Sequence, residues 1–336
     1  MKHFRILLLV FAVLLLASKS SLAQVSTRDA TSLVVNNDLI AIRGLLEKKS
    51  LDPNSNDASG WRIALMSRSK EMLSLFIDHG FNLDFRPHDE LTALEHFAYQ
   101  YYIERSDRES RAASEALIKC LRDHNCQESL YAQIALNEVD LIRHRLIENP
   151  QLVYQKCGKG IFPLRAAALF GRPDICRVLI DAGASVNDSS DLPYRPIVSS
   201  AIPHPSTLKL FLENDARIND TVEIHRSLLP IGAKSLLHCA VEARNVASMQ
   251  ILIDHGLDVN SVSSEGVSVL HYAIVFSEFP FRIEAPDSAV RVIRCLLENG
   301  ASTRFTEKVQ VEIQGIIART GDDGKAISKL FEEYAN

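Results

Sequence analysis

An interval of 33 residues recurs in this chain, and it limits the possible folds more tightly than any figure of composition. Ser59 to Thr92, Phe162 to Arg195 and Ser235 to Ser268 are each 33 residues apart. The fullest copy runs Gly160-Ile-Phe-Pro-Leu-Arg-Ala-Ala-Ala-Leu-Phe-Gly171 and continues to Val178-Leu-Ile-Asp-Ala-Gly-Ala-Ser-Val-Asn187. It reads as a helix, a short turn, a second helix and a Gly-Ala stop. A second ruler agrees: 8 residues separate Asp84 from Thr92, Asn187 from Arg195 and Asn260 from Ser268. A helix pair this short cannot bury its apolar face alone, but stacked copies bury it on one another. The expected fold is therefore all-α, a solenoid of about eight stacked helix-turn-helix units.

The same parts recur in order. Ser235-Leu-Leu-His238 precedes Ile251-Leu-Ile-Asp-His-Gly256, and Ser268-Val-Leu-His271 precedes Cys295-Leu-Leu-Glu-Asn-Gly-Ala301. This pattern resembles the ankyrin repeat, with its Thr-Pro-Leu-His start, Leu-Leu helix and Gly-Ala-Asp-Val-Asn end. The resemblance implies a scaffold that binds another protein through its concave face and hairpin loops, without catalysis. It also implies that His238 and His271 order turns through hydrogen bonds.

Helix boundaries follow from local chemistry. Ser59, Thr92, Ser235 and Ser268 can cap first helices, and Thr92 with Glu95 forms a capping box. Pro163 and Pro196 suit the first helical position. Phe162 and Arg195 stand where a capping hydroxyl is expected, so weaker first helices are predicted there. Gly80, Gly183, Gly256 and Gly300 stop second helices. From the opening slot to the second helix, regular repeats take 12 residues, as from Ser59 to Glu71. Repeat three takes 24, from Thr92 to Ala116, and repeat eight takes 23, from Ser268 to Arg291. Insertions in loops near 99–111 and 275–287 are expected. The interval from Asn219 to Ser235 is 16 instead of 8, which predicts a long hairpin over 220–234. Repeats are expected over 24–306 and a pair of capping helices over 307–336.

The start of the chain is a separate device. Lys2 and Arg5 precede an apolar run from Ile6 to Leu16, and Ser21-Leu-Ala23 supplies small residues for a signal peptidase. Cleavage of a signal peptide, residues 1–23, between Ala23 and Gln24 is predicted. The product would be periplasmic in a Gram-negative bacterium and secreted otherwise, with no membrane span left. Its loss takes the formal charge from −5 to −8, by removing Lys2, Arg5 and Lys19. Such a chain lacks the basic stripe that nucleic acid requires. Of the six cysteines, Cys176, Cys239 and Cys295 fall at core positions and are expected to be free. One bridge among Cys120, Cys126 and Cys157 is open, its pairing not fixed by sequence.

No nucleophile elbow, phosphate loop or His-Glu-x-x-His helix is present. Gly321-Asp-Asp-Gly324 is too short and acidic to cradle phosphate. No catalytic residue, metal site or cofactor is assigned. The candidate residues are for partner binding. Glu223, His225, Arg226, Leu228 and Leu229 lie in the long hairpin; Tyr99, Tyr101 and Tyr102 open the first insertion; Phe276 and Phe279 lie in the second. Loop aromatics are enriched at binding hot spots, although each insertion could instead fold its rings onto its own repeat. A monomer that binds one protein partner is expected. By fold-level analogy, an immunity protein neutralising a periplasmic toxin, or a helper of an envelope enzyme, are narrower versions. An enzyme with its site in the insertions would need converging polar groups.

Overall fold

The structure is a computed structural model, which describes residues 27–56, 62–86, 91–104, 106–192, 194–223, 232–278 and 288–334. Among these residues every regular element is helical, and the extended pairings are isolated bridges at Asn56–Arg62, Val222–Lys234 and Val262–Ser268. Residues 1–23, the expected signal peptide, lie outside the described residues. The chain divides into two compact units, 1–136 and 137–336.

The first unit contains α1 (Thr27–Val35), α2 (Leu39–Glu47), a 3-10 turn (Ile63–Met66), α3 (Lys70–Asp78), α4 (Ala93–Ile103), α5 (Arg108–Asp123) and α6 (Leu130–Leu136). The second contains α7 (Val139–Glu148), α8 (Pro163–Leu169), α9 (Pro173–Asp181), a 3-10 turn (Ile197–Ala201), α10 (Pro205–Leu212), α11 (Leu236–Glu242), α12 (Val246–Asp254), α13 (Val269–Ser277), α14 (Ala289–Glu298), α15 (Glu307–Arg319) and α16 (Gly321–Glu333). Two short 3-10 turns, Pro150–Tyr154 and Gly158–Gly160, join α7 to α8. In the second unit α9, α10, α12, α14 and α16 pack in sequence as one layer, while α11, α13 and α15 pack as another. Ile175, Cys176, Leu179, Leu208, Phe211, Met249, Leu252, Ile293 and Leu296 fill the space between layers and are buried.

The second sequence ruler has a physical basis. Asn187 donates from Nδ2 to the Asp215 carbonyl (3.0 Å) and accepts the Arg217 N–H (2.8 Å). Asn260 does the same to Gly300 O (3.2 Å) and Ser302 N–H (2.7 Å). Asn54 repeats it in the first unit with Gly80 O and Asn82 N–H, and Asp84 accepts from Gln127 N–H. Each side chain ties the end of one repeat to the end of the next. It satisfies backbone groups orphaned where a helix stops, and Gly183 turns at φ 103° to allow that stop.

The ruler also corrects one boundary. Eight residues beyond Asn54 is Arg62, and Arg62 takes the cap position of the 3-10 turn, without a side-chain cap bond. Ser59, the expected cap, lies outside the described residues, three positions before the observed cap position. The 33-residue interval from Ser59 to Thr92 therefore does not join equivalent positions. The first helix of that repeat is shortened to a 3-10 turn.

Other expectations change too. Thr92 and Ser268 cap as predicted, and Thr92 with Glu95 forms the capping box. Ser235 makes no cap bond; its hydroxyl is used by His238 and Ser261. Pro163 takes the first helical position, but Pro196 precedes its helix, which is a 3-10 turn. The first insertion is not a loop. It lengthens both helices, α4 to 11 residues and α5 to 16, against 7 and 9 for α8 and α9. Asp107 caps α5 and Ser114 donates to Glu104 (2.7 Å), which lets the charged run continue as helix. In repeat eight, α14 starts at Ala289, capped by Ser288, instead of at Arg291. All six thiols are free, so no bridge links Cys120, Cys126 and Cys157. Burial pushes Cys176 up to about 12 and Cys126 to about 11, which keeps both as unreactive thiols.

Candidate functional site

The third residue of α4, α8 and α11 is polar and points into the stack, where a polar group must be paired. His238 is fully buried there. Its Nε2 faces the Val267 carbonyl (3.1 Å) and its Nδ1 faces the Ser235 hydroxyl (2.8 Å). A carbonyl only accepts, so Nε2 carries the proton and Nδ1 accepts from Ser235. Burial pulls the imidazole down to about 4, with Lys234 adding to the shift. His238 is thus neutral, and its work is to hold the next hairpin. His271, in the same slot of repeat eight, faces α15 instead and lies 3.3 Å from Glu312. Among the described residues no group of three His, Cys, Asp or Glu side chains could hold a metal.

The same slot holds Arg165 in repeat five. Its guanidinium and the Asp191 carboxylate are both buried, with bonds of 2.9–3.0 Å. Arg165 also donates to the Arg195 carbonyl (2.9 Å), while Asp191 accepts the Phe162 N–H (2.9 Å). Burial pushes Asp191 up, but the Arg165 and backbone hydrogen bonds outweigh it and hold the carboxyl below its ordinary range. This clamp fixes the hairpin from Asn187 to Arg195.

Three consecutive hairpins of the second unit then join edge to edge. Glu223 N–H donates to the Tyr194 carbonyl (3.0 Å). Ser264 N–H donates to the Ala233 carbonyl (2.8 Å), and Ala233 N–H to the Ser264 hydroxyl (2.9 Å). The middle hairpin is closed at its base by paired bonds between Val222 and Lys234. Lys234 is buried, in an ion pair with Glu242, which also receives the Tyr272 hydroxyl. Held this way, the hairpins expose Tyr194 (59%), Val262 (58%) and Leu192 (38%).

The structure sorts the predicted site residues. Glu223 is exposed and belongs to this edge. His225, Arg226, Leu228, Leu229 and Phe279 lie outside the described residues. Tyr99, Tyr101 and Tyr102 are half-buried on the last turns of α4 instead of standing in a loop. Arg111 stacks over the Tyr101 ring at 4.3 Å and donates to its hydroxyl. Phe276 is half-buried on α13, its ring 5.5 Å from that of Tyr272. Tyr101 and Phe276 are thus folded onto their own repeats. Leu192, Tyr194 and Val262 stand outside the longer segments that the broken intervals single out. The signal was present: all three lie in the eight-residue interval that the second ruler marks.

Two family profiles match within the second unit. The profile described as ankyrin repeats (many copies) matches residues 237–281, and the ankyrin repeat profile matches residues 159–191. An ankyrin repeat protein of Rickettsia bellii (strain RML369-C) is 28% identical over 160 residues, 40% of this chain and 23% of that protein. The chain thus matches less than a quarter of that relative's length. The crystal structure of the ankyrin repeat domain of Bcl-3, a member of the IkappaB protein family, is 17% identical with a TM-score of 0.41, over 58% of this chain and 86% of that one. Residues 159–191 and 237–281 thus match ankyrin repeats, modules that mediate binding to other proteins. Among the described residues no helix is long and apolar enough to cross a membrane.

Proposed function

We propose that this is an exported, non-catalytic ankyrin-repeat protein that holds another protein against the hairpin edge and adjoining concave face of repeats five to eight. The observation that carries this reading is the stitched edge itself. Three hairpins joined by backbone bonds expose Leu192, Tyr194 and Val262. A rigid edge loses little conformational entropy on binding, and aromatic anchors dominate contact energies. Buried polar clamps at Arg165, Lys234 and His238 support the edge from below. Export rests on the basic start, the apolar run and Ser21-Leu-Ala23.

Pull-down from the exported fraction with tagged protein, beside Tyr194→Ala and Val262→Ser variants, tests the surface. A specific partner lost or weakened more than tenfold (about 1.4 kcal/mol) by both variants supports it. A partner retained equally by both moves the site elsewhere. Amino-terminal sequencing tests export. A mature chain starting at Gln24 is expected; an intact Met1 in the cytoplasmic fraction sinks it.

A further inference from the structure

Within this edge the charges are unevenly spent. Two cations of the hairpin region are neutralised inside the stack, Arg165 by Asp191 and Lys234 by Glu242, and a third, the exposed Arg217, pairs with Asp220 at 3.5 Å on the surface. What remains exposed is mainly acidic. Asp188, Glu223 and Glu265 face solvent, one on each of the three hairpins. Among the described hairpin residues, Arg195 is the exposed cation that meets no carboxylate. Arg226 lies outside them, and counting it still leaves three carboxylates against two guanidinium groups. The apolar anchors share hairpins with these carboxylates: Tyr194 lies on that of Asp188 and accepts the Glu223 N–H through its carbonyl, and Val262 lies on that of Glu265.

We infer that the edge recognises a basic protein segment, one in which Lys or Arg side chains flank an aromatic or aliphatic anchor. This rests on the hairpin edge being the partner surface. The anchor would pack against Tyr194 and Val262, and the flanking cations would meet Asp188, Glu223 and Glu265. The clamps matter here beyond stability. Lys234 is neutralised inside the stack, so it does not cancel the acidic rim. The same rim opposes nucleic acid and anionic lipid, whose phosphates would face exposed carboxylates.

The test uses the mature chain, residues 24–336, immobilised and panned with displayed random short peptides. Recovered peptides are then synthesised, and their Kd measured by fluorescence anisotropy at low and high salt. The inference expects sequences in which Lys or Arg flanks an apolar residue. Their Kd should rise at least tenfold with Tyr194→Ala, and separately with the double variant Glu223→Lys and Glu265→Lys. It should rise with salt as well, because exposed charges are screened. Circular dichroism melts of these surface variants should match wild type. Peptides that need Tyr194 but carry no basic residue overturn the charge assignment and leave the hairpin reading standing. Basic peptides indifferent to both substitutions overturn the two together.

Discussion

Glu95 and Arg165 occupy the same slot in two repeats, one in each unit, and solve the same problem with opposite charges. Both are fully buried. Glu95 turns to the preceding hairpin. It accepts from Arg86 at 2.8 Å, from the Thr92 N–H at 3.0 Å, and from the Ser129 hydroxyl of the next repeat. Arg165 turns to the following hairpin and pairs with Asp191. The difference lies in the partner's exposure. The Arg86 side chain is 37% exposed, whereas that of Asp191 is 0% exposed. A half-exposed partner can be released to water. A buried carboxylate left alone cannot. A charged residue buried in the slot therefore needs a partner, and in these two repeats its identity selects which hairpin is held.

Four substitutions or conditions can break or sharpen that comparison. The largest effect is expected for Arg165→Met, which strands Asp191. Stability should fall by about 3–5 kcal/mol in urea melts. Adding Asp191→Leu should recover most of that loss, because a buried pair replaced by apolar groups is often neutral. A double variant no more stable than the single one would mean the charge is not the cause.

Next is acid acting on His238, the neutral occupant of the slot. Its folded value of about 4 lies below the ordinary 6.5. The unfolded chain therefore binds the proton first, and stability is lost as pH falls from about 6.5 toward 4. The loss approaches ~3 kcal/mol. His238→Asn should flatten this part of the pH profile. Asp191 contributes in a different window. Its folded carboxyl is held low, so its stabilisation persists above the ordinary carboxylate range and is lost only as pH falls below it.

Glu95→Gln should cost less than Arg165→Met, about 1.5–3 kcal/mol, since Arg86 can turn to solvent and the amide keeps part of the cap. Equal losses for the two would erase the distinction drawn from exposure. The smallest effect belongs to Glu104→Ala. It removes the acceptor for Ser114 across the α4–α5 corner, at about 0.5–1.5 kcal/mol. Urea midpoints read both variants.

The sequence by itself determined the repeat, because its period and its stops are local chemistry. Gly183 after α9, Thr92 with Glu95, and Asn187 eight residues before the next slot could all be read without coordinates. It also determined that hairpins recur and that one of them is long. Local chemistry misled at Ser59, where a matching interval hid a shortened helix, and at 99–111, where extra residues became helix instead of loop. Both errors have one cause. Intervals count residues but not the backbone rise per residue, which differs between helix and loop. Only the tertiary structure decided what the buried slot does. Asp191 stands 26 residues from Arg165 and Val267 stands 29 from His238; nothing in either segment alone names its partner. The same holds for the exposed edge. Tyr194 and Glu223 meet through one backbone bond because neighbouring repeats bring their hairpins side by side. That juxtaposition arises from stacking, which buries apolar faces between repeats and so fixes which loops touch.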